Sequence, residues 1–173
     1  MKVQDLMTRD VATCAPHDDL ANVARLMWDH DCGSVPVVDS SLRVLGMLTD
    51  RDVCMCAWSK GQPLAQLCAT DAMSKHLVAC GAGDEVTNAL ALMRERQVRR
   101  LPVTDARGRL VGLLSLNDAA RAAASKEVRA TRELPLDTVA STLSAICEPH
   151  CALVPATARR GEPLAARQAD IEC

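Results

Sequence analysis

The sequence feature that most constrains the fold is an internal repeat with a spacing of 66 residues. When the chain is slid against itself by that distance, Asp5 falls on Asp71, Cys14 on Cys80 and Asp52 on Asp118. The register holds without a gap over about 50 positions, with roughly 14 identities. The chain is therefore predicted to contain two copies of one small unit. Because one unit is too small to bury both faces of its sheet, the copies should pack on each other about a pseudo-twofold axis.

Each copy has the pattern of a β-α-β-β-α unit, which predicts an α/β (α+β) fold. A short apolar strand, over 11–14 or 77–80, precedes an amphipathic helix with apolar residues at i, i+3, i+4 and i+7. Two β-branched runs then predict a hairpin, and a second helix should begin after Thr49 and after Ser115. The prolines of the hairpins predict edge or first-residue strand positions. The core-facing helix residues are Leu20, Val23, Ala24 and Met27, and Val86, Ala89, Leu90 and Met93.

Composition excludes several functional classes. The chain has two Trp and no Phe or Tyr, so it lacks the stacking platforms of single-stranded nucleic-acid binders. Its net charge of −2 gives no basic stripe for a phosphate backbone, and a nucleic-acid partner is not expected. No apolar run approaches the roughly 20 residues of a membrane span, and no signal peptide is visible. These features predict a cytoplasmic protein that does not insert into membranes, with its nine Cys reduced.

The C-terminal part lies outside the repeat. The expected boundaries are repeat 1 over 1–60, repeat 2 over 61–126, a helix within 127–150 and a disordered tail over 151–173. The helix is predicted from an apolar stripe that should pack on the repeats, on a dimer mate or on a partner. Its members are Leu136, Val139, Ala140, Leu143, Ile146 and Cys147.

Four motifs resemble the cystathionine-β-synthase (CBS) domain family. They are Ser-Val-Pro-Val-Val-Asp at 34–39, Gly-Met-Leu-Thr-Asp-Arg-Asp at 46–52, Arg-Arg-Leu-Pro-Val-Thr-Asp at 99–105 and Gly-Leu-Leu-Ser-Leu-Asn-Asp at 112–118. The resemblance covers roughly residues 1–125 and implies a tandem pair, or Bateman module, that commonly forms homodimers. It also implies that the clefts between repeats bind AMP, ADP, ATP, S-adenosylmethionine or a related regulatory ligand. We expect no attached catalytic domain and no enzymatic activity, so that regulation of an unidentified partner would act in trans.

The Thr49-x-x-Asp52 and Ser115-x-x-Asp118 motifs have two compatible interpretations. The pattern is typical of a capping box, in which hydroxyl and carboxylate satisfy the first N–H groups of a helix. A helix N-terminus with a hydroxyl is also a phosphate site, and an Asp one turn later can accept hydrogen bonds from ribose. The family resemblance implies the second role in addition to the first.

The two copies differ in charge beside these motifs. Arg99 and Arg100 suit bidentate phosphate binding, whereas Gly33 and Ser34 stand at the equivalent positions of copy one. We therefore expect the cleft with Arg99, Arg100, Ser115 and Asp118 to bind the more phosphorylated ligand. The cleft with Thr49 and Asp52 is expected to bind a less charged ligand, to bind weakly or to stay empty.

Further residues are weaker candidates for the same clefts. Arg9 and Lys75 follow the Met-Thr and Met-Ser pairs and are candidate phosphate contacts. Four apolar strand residues are candidates to line a slot for adenine. Ordinary core packing is the favoured interpretation for each of them. These residues are Val11, Val35, Leu77 and Leu101.

Two alternatives of another class remain open from the sequence. One is a protein that binds no ligand and uses the fold for dimerisation or interaction. The other is a thiol-based redox sensor, suggested by the Cys count. A metal site is not favoured, because Cys54 and Cys56 would face different sides of a helix and four convergent ligands are lacking.

Overall fold

Each repeat folds into a small sheet with helices on one side, in the computed structural model of residues 1–74, 76–125, 128 and 134–148. The predicted disordered tail over 151–173 and the candidate Lys75 lie outside these residues. The elements in chain order are α1 (Val3–Leu6), α2 (Leu20–Asp29), β1 (Ser34–Val38), β2 (Val44–Thr49), α3 (Asp50–Lys60), a 3-10 turn (Leu64–Gln66), α4 (Ala69–Ala72), β3 (Cys80–Gly81), α5 (Val86–Arg96), β4 (Arg100–Thr104), β5 (Leu110–Ser115), α6 (Leu116–Ala124) and α7 (Leu136–Ile146).

The predicted hairpins and the helices that follow them are confirmed. Strand β1 pairs antiparallel with β2, and β4 pairs with β5 in the equivalent register. Ser34 lies opposite Thr49 in the first hairpin, and Arg100 lies opposite Ser115 in the second. The start of each second helix is thereby held beside the start of its hairpin.

The predicted first strand of each repeat is much shorter than expected. In repeat 2 it is reduced to β3, which pairs in parallel with the end of β4. In repeat 1 it is a single bridge between Cys14 and Val37. Residues 11–13 pair with no strand, and Val11 and Ala12 line a cleft instead.

The prediction that the hairpin prolines lie at a sheet edge is wrong. Strand β4 is the middle strand of its sheet, and β1 lies between Cys14 and β2. Both the N–H and the carbonyl of Met47, which is opposite Pro36, bond to Ser74 and face away from β1. Pro36 is therefore at a position where the antiparallel ladder needs no N–H donor, and the proline removes no hydrogen bond.

The segment near the start of each repeat hydrogen-bonds to the hairpin of the other repeat. The N–H of Thr8 donates to the carbonyl of Leu113, and the N–H of Ser74 donates to the carbonyl of Met47. A Cβ on Gly46 would lie 2.7 Å from the carbonyl oxygen of Ser74. The short helices α1 and α4, which position these segments, were not predicted, because four residues are too few to show a helical period.

The predicted helix stripes form the cores of the two repeats. Leu20, Val23 and Met27 are buried in one cluster, while Ala24 is only partly buried and packs against it. The stripe of α5 is buried as predicted, in a larger cluster that includes α7. The core of repeat 2 is larger because α7 packs across α5 and α6.

Of the three packing partners expected for the C-terminal helix, the structure shows its own repeat, and only part of the apolar stripe is used. Helix α7 packs on its own repeat through Val139, Thr142 and Ile146. Leu136, Ala140, Leu143 and Cys147 face outward instead, and Leu136 and Leu143 are about half exposed, at 47% and 46%. Thr142 is tolerated inside because its hydroxyl donates to the carbonyl of Thr138.

Candidate functional site

Two clefts lie between the repeats and are related by the pseudo-twofold. The basic cleft has a volume of about 570 Å³ and is lined by residues that include Thr49, Asp50, Arg51, Asp52, Ser74, His76, Val78, Val98, Arg99, Arg100 and Ile146. The acidic cleft has a volume of about 220 Å³ and is lined by Thr8, Asp10, Val11, Ala12, His30, Cys32, Ser34, Arg100, Leu113, Ser115 and Asp118.

A capping box begins helix α3 at the basic cleft. The carboxylate of Asp52 accepts the backbone N–H of Thr49 at 2.9 Å and the hydroxyl of Thr49 at 2.7 Å. The hydroxyl oxygen in turn accepts the N–H of Asp52 at 3.2 Å. The two bonds to the carboxylate both use Oδ2, so Oδ1 of Asp52 is left for a ligand. The helix N-terminus faces the cleft with the partial positive charge that favours anions.

The equivalent capping box begins helix α6 at the acidic cleft, with one difference. Oδ2 of Asp118 accepts the N–H and the hydroxyl of Ser115, as in the first repeat. The other oxygen, Oδ1, is paired with the guanidinium of Arg121. Met55 occupies the position of Arg121 in repeat 1, and it offers no such partner to Asp52. A ligand hydroxyl would therefore compete with Arg121 for Asp118, but not for Asp52.

The arginine side chains are distributed differently from the expectation. Arg99 lines the basic cleft with Thr49 and Asp52, and does not line the cleft of Ser115 and Asp118. The carbonyl of Arg99 accepts the N–H of Leu116 in its own repeat, while the residue lines the cleft of Thr49 and Asp52, which belong to the other repeat. The grouping of Arg99 with Ser115 and Asp118 is wrong because the repeats cross at this point.

The two clefts consequently have opposite charge balance. The basic cleft contains three guanidinium groups, Arg51, Arg99 and Arg100, against the carboxylates of Asp50 and Asp52. The acidic cleft contains Arg100 against Asp10 and Asp118. The larger cleft is therefore the one suited to a ligand with several negative charges, which reverses the assignment made from the sequence.

Ser34 lies between the two clefts and lines both of them. Its side chain is only 4% exposed, and its Oγ has no hydrogen-bond partner among the described residues. A buried hydroxyl without a partner costs free energy, so such groups usually bind water or a ligand. Ser34 is thus a polar group available to a molecule in either cleft.

Comparison with known proteins assigns this architecture to a family. The CBS domain family matches residues 3–57 and 69–125, one domain for each repeat. The chain belongs to the CBS domain family. The CBS domain-containing protein YhcV of Bacillus subtilis (strain 168) is 37% identical over 118 residues, which are 68% of this chain and 82% of that protein.

Other CBS proteins share the fold over most of their length. Hypoxic response protein 1 of Mycobacterium tuberculosis (strain ATCC 25618 / H37Rv) is 30% identical over 146 residues, 84% of this chain and 94% of that protein. The crystal structure of Hypoxic Response Protein I with two coordinated zinc ions superposes with a TM-score of 0.65 at 31% identity, over 70% of this chain and 98% of that one. The crystal structure of CBSX2 in complex with AMP gives a TM-score of 0.63 at 24% identity, over 70% and 95% of the two chains.

The apolar surface of the basic cleft comes from residues that were not predicted from the sequence to contact a ligand. Met47, Val78, Val98 and Ile146 supply it. Val98 immediately precedes the two arginines, so its position beside them was a usable signal. Ile146 belongs to α7, outside both CBS repeats, and no repeat pattern points to it.

Several proposed contacts lie elsewhere. Val35 and Leu101 are completely buried in the cores, as expected for ordinary core residues. Leu77 lines neither cleft, while Val11 lines the acidic one. The guanidinium of Arg9 donates to the carbonyl of Gln4 and also lines neither cleft.

The cysteine thiols of the described residues differ strongly in exposure. Cys54 and Cys147 are exposed, whereas Cys14 and Cys80 are buried at equivalent positions. Burial raises the pKa of both buried thiols from 9.0 to about 11, helped by the nearby carboxylates of Asp18 and Asp84. These two thiols are therefore protonated and unreactive near neutral pH.

In the part of the chain that the structure describes, no three His, Cys, Asp or Glu side chains converge as a metal would require. Nor does any helix there combine the length and the apolar character needed to cross a bilayer.

Proposed function

We propose that this protein is a regulatory CBS pair, without catalytic activity of its own, that binds an adenosine-containing nucleotide in the basic cleft. AMP, ADP, ATP and S-adenosylmethionine are the ligands to consider. The protein would act in the cytoplasm as a homodimer and would regulate a partner in trans. The observation that carries the proposal is the convergence of Arg51, Arg99 and Arg100 on the N-terminus of α3.

The chemistry of the basic cleft matches the parts of a nucleotide. Phosphate groups would be bound by the guanidinium groups, which form paired hydrogen bonds to phosphate oxygens, close to the partial positive charge at the N-terminus of α3. Ribose would donate to Oδ1 of Asp52, which the capping box leaves unused. Adenine would pack on Val78, Val98 and Ile146. AMP in the crystal structure of CBSX2 supports this class of ligand.

The charge balance favours the nucleotides with more phosphates. Three arginines against two carboxylates would attract ADP and ATP more strongly than S-adenosylmethionine, which carries a positive sulfonium centre. The acidic cleft, with less than half the volume, would bind a less charged ligand or none.

Thermal denaturation of the full chain with each of the four compounds tests the proposal. A compound at about 100 times its Kd should stabilise the folded state by roughly 2.7 kcal/mol. Isothermal titration should then show binding lost or weakened by about tenfold or more in Arg99→Ala and Asp52→Ala. Asp118→Ala is the matched control, and it should retain the binding of the wild type.

The possible results separate the alternatives. If none of the four compounds stabilises or binds the protein, the proposal is wrong and a ligand-free interaction protein is favoured. If Asp118→Ala loses binding while Asp52→Ala retains it, the ligand occupies the acidic cleft instead.

A further inference from the structure

The basic cleft includes a residue from outside the CBS repeats. Ile146, in the last turn of α7, lines the cleft and is also part of the core of repeat 2, with 8% of its surface exposed. The family match to repeat 2 ends at residue 125, so α7 is an addition to the pair. Among the described residues, the acidic cleft receives no side chain from this helix.

Gln97 connects the end of α7 to the arginines of the cleft. It ends α5 in the left-handed conformation, with φ at 50°, and lines the basic cleft itself. Its side-chain amide donates to the carbonyl of Ala145 at 3.0 Å and to that of Glu148 at 3.5 Å. Ala145 lies in the last turn of α7 and Glu148 just after it, and the carbonyl of Ala145 also accepts the N–H of Glu148. Gln97 therefore holds the last turn of α7 and directly precedes the segment of Val98, Arg99 and Arg100.

The equivalent position in repeat 1 lacks this connection. Asp31 also has a left-handed backbone, with φ at 47°, but no helix of the described chain lies across α2 and α3 as α7 lies across α5 and α6. Asp31 does not line the acidic cleft. The link between a cleft and a C-terminal helix is thus specific to the basic cleft.

We propose that α7 forms part of the nucleotide site and reports its occupancy, with Ile146 as a binding residue and Gln97 as a positioning residue. This inference rests on the proposed function of the basic cleft. A nucleotide packed on Ile146 and held by Arg99 and Arg100 stabilises the docked last turn of α7. By linkage, the docked helix strengthens nucleotide binding by the same factor.

Hydrogen–deuterium exchange on the full chain, with and without the tightest binder among AMP, ADP and ATP, measures this coupling. Peptides covering residues 136–148 should exchange more slowly when the nucleotide is bound. Ile146→Ala should weaken binding by about five- to tenfold, and Ile146→Val should restore most of it. Gln97→Asn keeps the left-handed backbone but shortens the amide, and it should reduce the protection of α7 on nucleotide binding.

Two matched variants control for general effects on folding. Leu143→Ala lies on the outward face of the same helix and should leave affinity within about twofold, because it contacts neither cleft nor core. Asp31→Asn places the same side chain at the equivalent position of repeat 1, where no helix of the described chain is held, and should leave the protection of α7 unchanged.

The experiment distinguishes a failure of the role of α7 from a failure of the proposed nucleotide binding. If the wild type binds a nucleotide but the exchange of residues 136–148 and the affinity of Ile146→Ala are unchanged, the role of α7 is wrong and the proposed function stands. If titration detects no nucleotide binding at all, the proposed function is wrong and this inference falls with it.

Discussion

Ser34 and Arg100 occupy the same position in the two repeats, and each lines both clefts. Each is the first residue of its hairpin, opposite the residue that caps the next helix. The pseudo-twofold brings these hairpin starts together, so a change at either position reaches both sites. Arg99 differs in this respect, because it lines the basic cleft and not the acidic one.

Replacing Ser34 tests whether its buried hydroxyl serves a ligand. Ser34→Ala removes an Oγ that has no partner in the described chain, so the ligand-free protein should keep its stability or gain up to about 1 kcal/mol. Nucleotide affinity should fall by about two- to tenfold, as expected for one lost hydrogen bond. Thermal denaturation and titration measure the two effects.

Ser59→Ala, whose hydroxyl already donates to the carbonyl of Cys56, is the control for affinity. A destabilised Ser34→Ala variant with wild-type affinity would show that the hydroxyl is structural.

The two hairpin turns differ in how well their residues suit the backbone. Asp39 and Asp105 each accept two backbone N–H groups within their turn. The residue two positions before the second strand then has a left-handed φ, 62° at Leu42 and 76° at Gly108. Left-handed backbone costs an ordinary L-residue roughly 1–2 kcal/mol, whereas Asn and Gly adopt it readily.

Leu42→Asn should therefore raise the free energy of unfolding by about 0.5–1 kcal/mol, measured by urea denaturation. Gly108→Ala is the matched change in the opposite sense, and it should lower that free energy by about 1 kcal/mol. No heavy atom outside its neighbours lies within 4 Å of the added Cβ at Gly108, so the effect is purely conformational. Equal stability of both variants with the wild type would contradict the interpretation.

The junction between the repeats should be intolerant of any side chain at Gly46. A Cβ there would meet the carbonyl oxygen of Ser74 at 2.7 Å, and backbone cannot move aside cheaply. Gly46→Ala should destabilise the protein by about 1–3 kcal/mol, the range typical of overpacked sites. Gly83→Ala, with open space around the added Cβ, should change stability by less than about 1 kcal/mol. Similar denaturation curves for both variants would show that the junction is adaptable.

Thiol labelling should separate buried from exposed cysteines. At pH 7.5 Cys54 and Cys147 should react with iodoacetamide, while Cys14 and Cys80 should react about 100-fold more slowly or only after unfolding. Mass spectrometry of the labelled peptides measures the rates, and urea-unfolded protein is the control. Rapid labelling of Cys14 or Cys80 in the folded protein would contradict the burial.

The same two thiols predict a loss of stability at high pH. Their folded pKa, about 11, lies above the unfolded value of 9.0, so the folded state retains protons that the unfolded state releases. Their contribution to stability is fully present below pH 9 and is lost as the pH rises through 11. The double variant Cys14→Ala, Cys80→Ala should show a smaller decline of the melting temperature between pH 9 and pH 11. If the double variant shows the same decline as the wild type, other groups cause the loss of stability at high pH.

The sequence by itself determined the features that depend on neighbours along the chain. The repeat, the amphipathic stripes of α2 and α5, both hairpins and both capping boxes follow from local periodicity and from pairs three residues apart. Thr49 with Asp52 illustrates the reason, because the helix that they begin brings them together whatever surrounds it. The family of the chain could be recognised for the same reason, since its motifs are short and continuous.

Only the tertiary structure decided which residues share a cleft. Arg99 lines the cleft of Thr49 because the repeats cross about the pseudo-twofold, and the cleft is completed by Ile146 from a helix outside the repeats. The face of α7 that packs is chosen by the groove between α5 and α6, which accepts Val139 and Ile146 and leaves Leu143 outside. These placements depend on how separate elements pack across the molecule, and no local pattern in the chain encodes them.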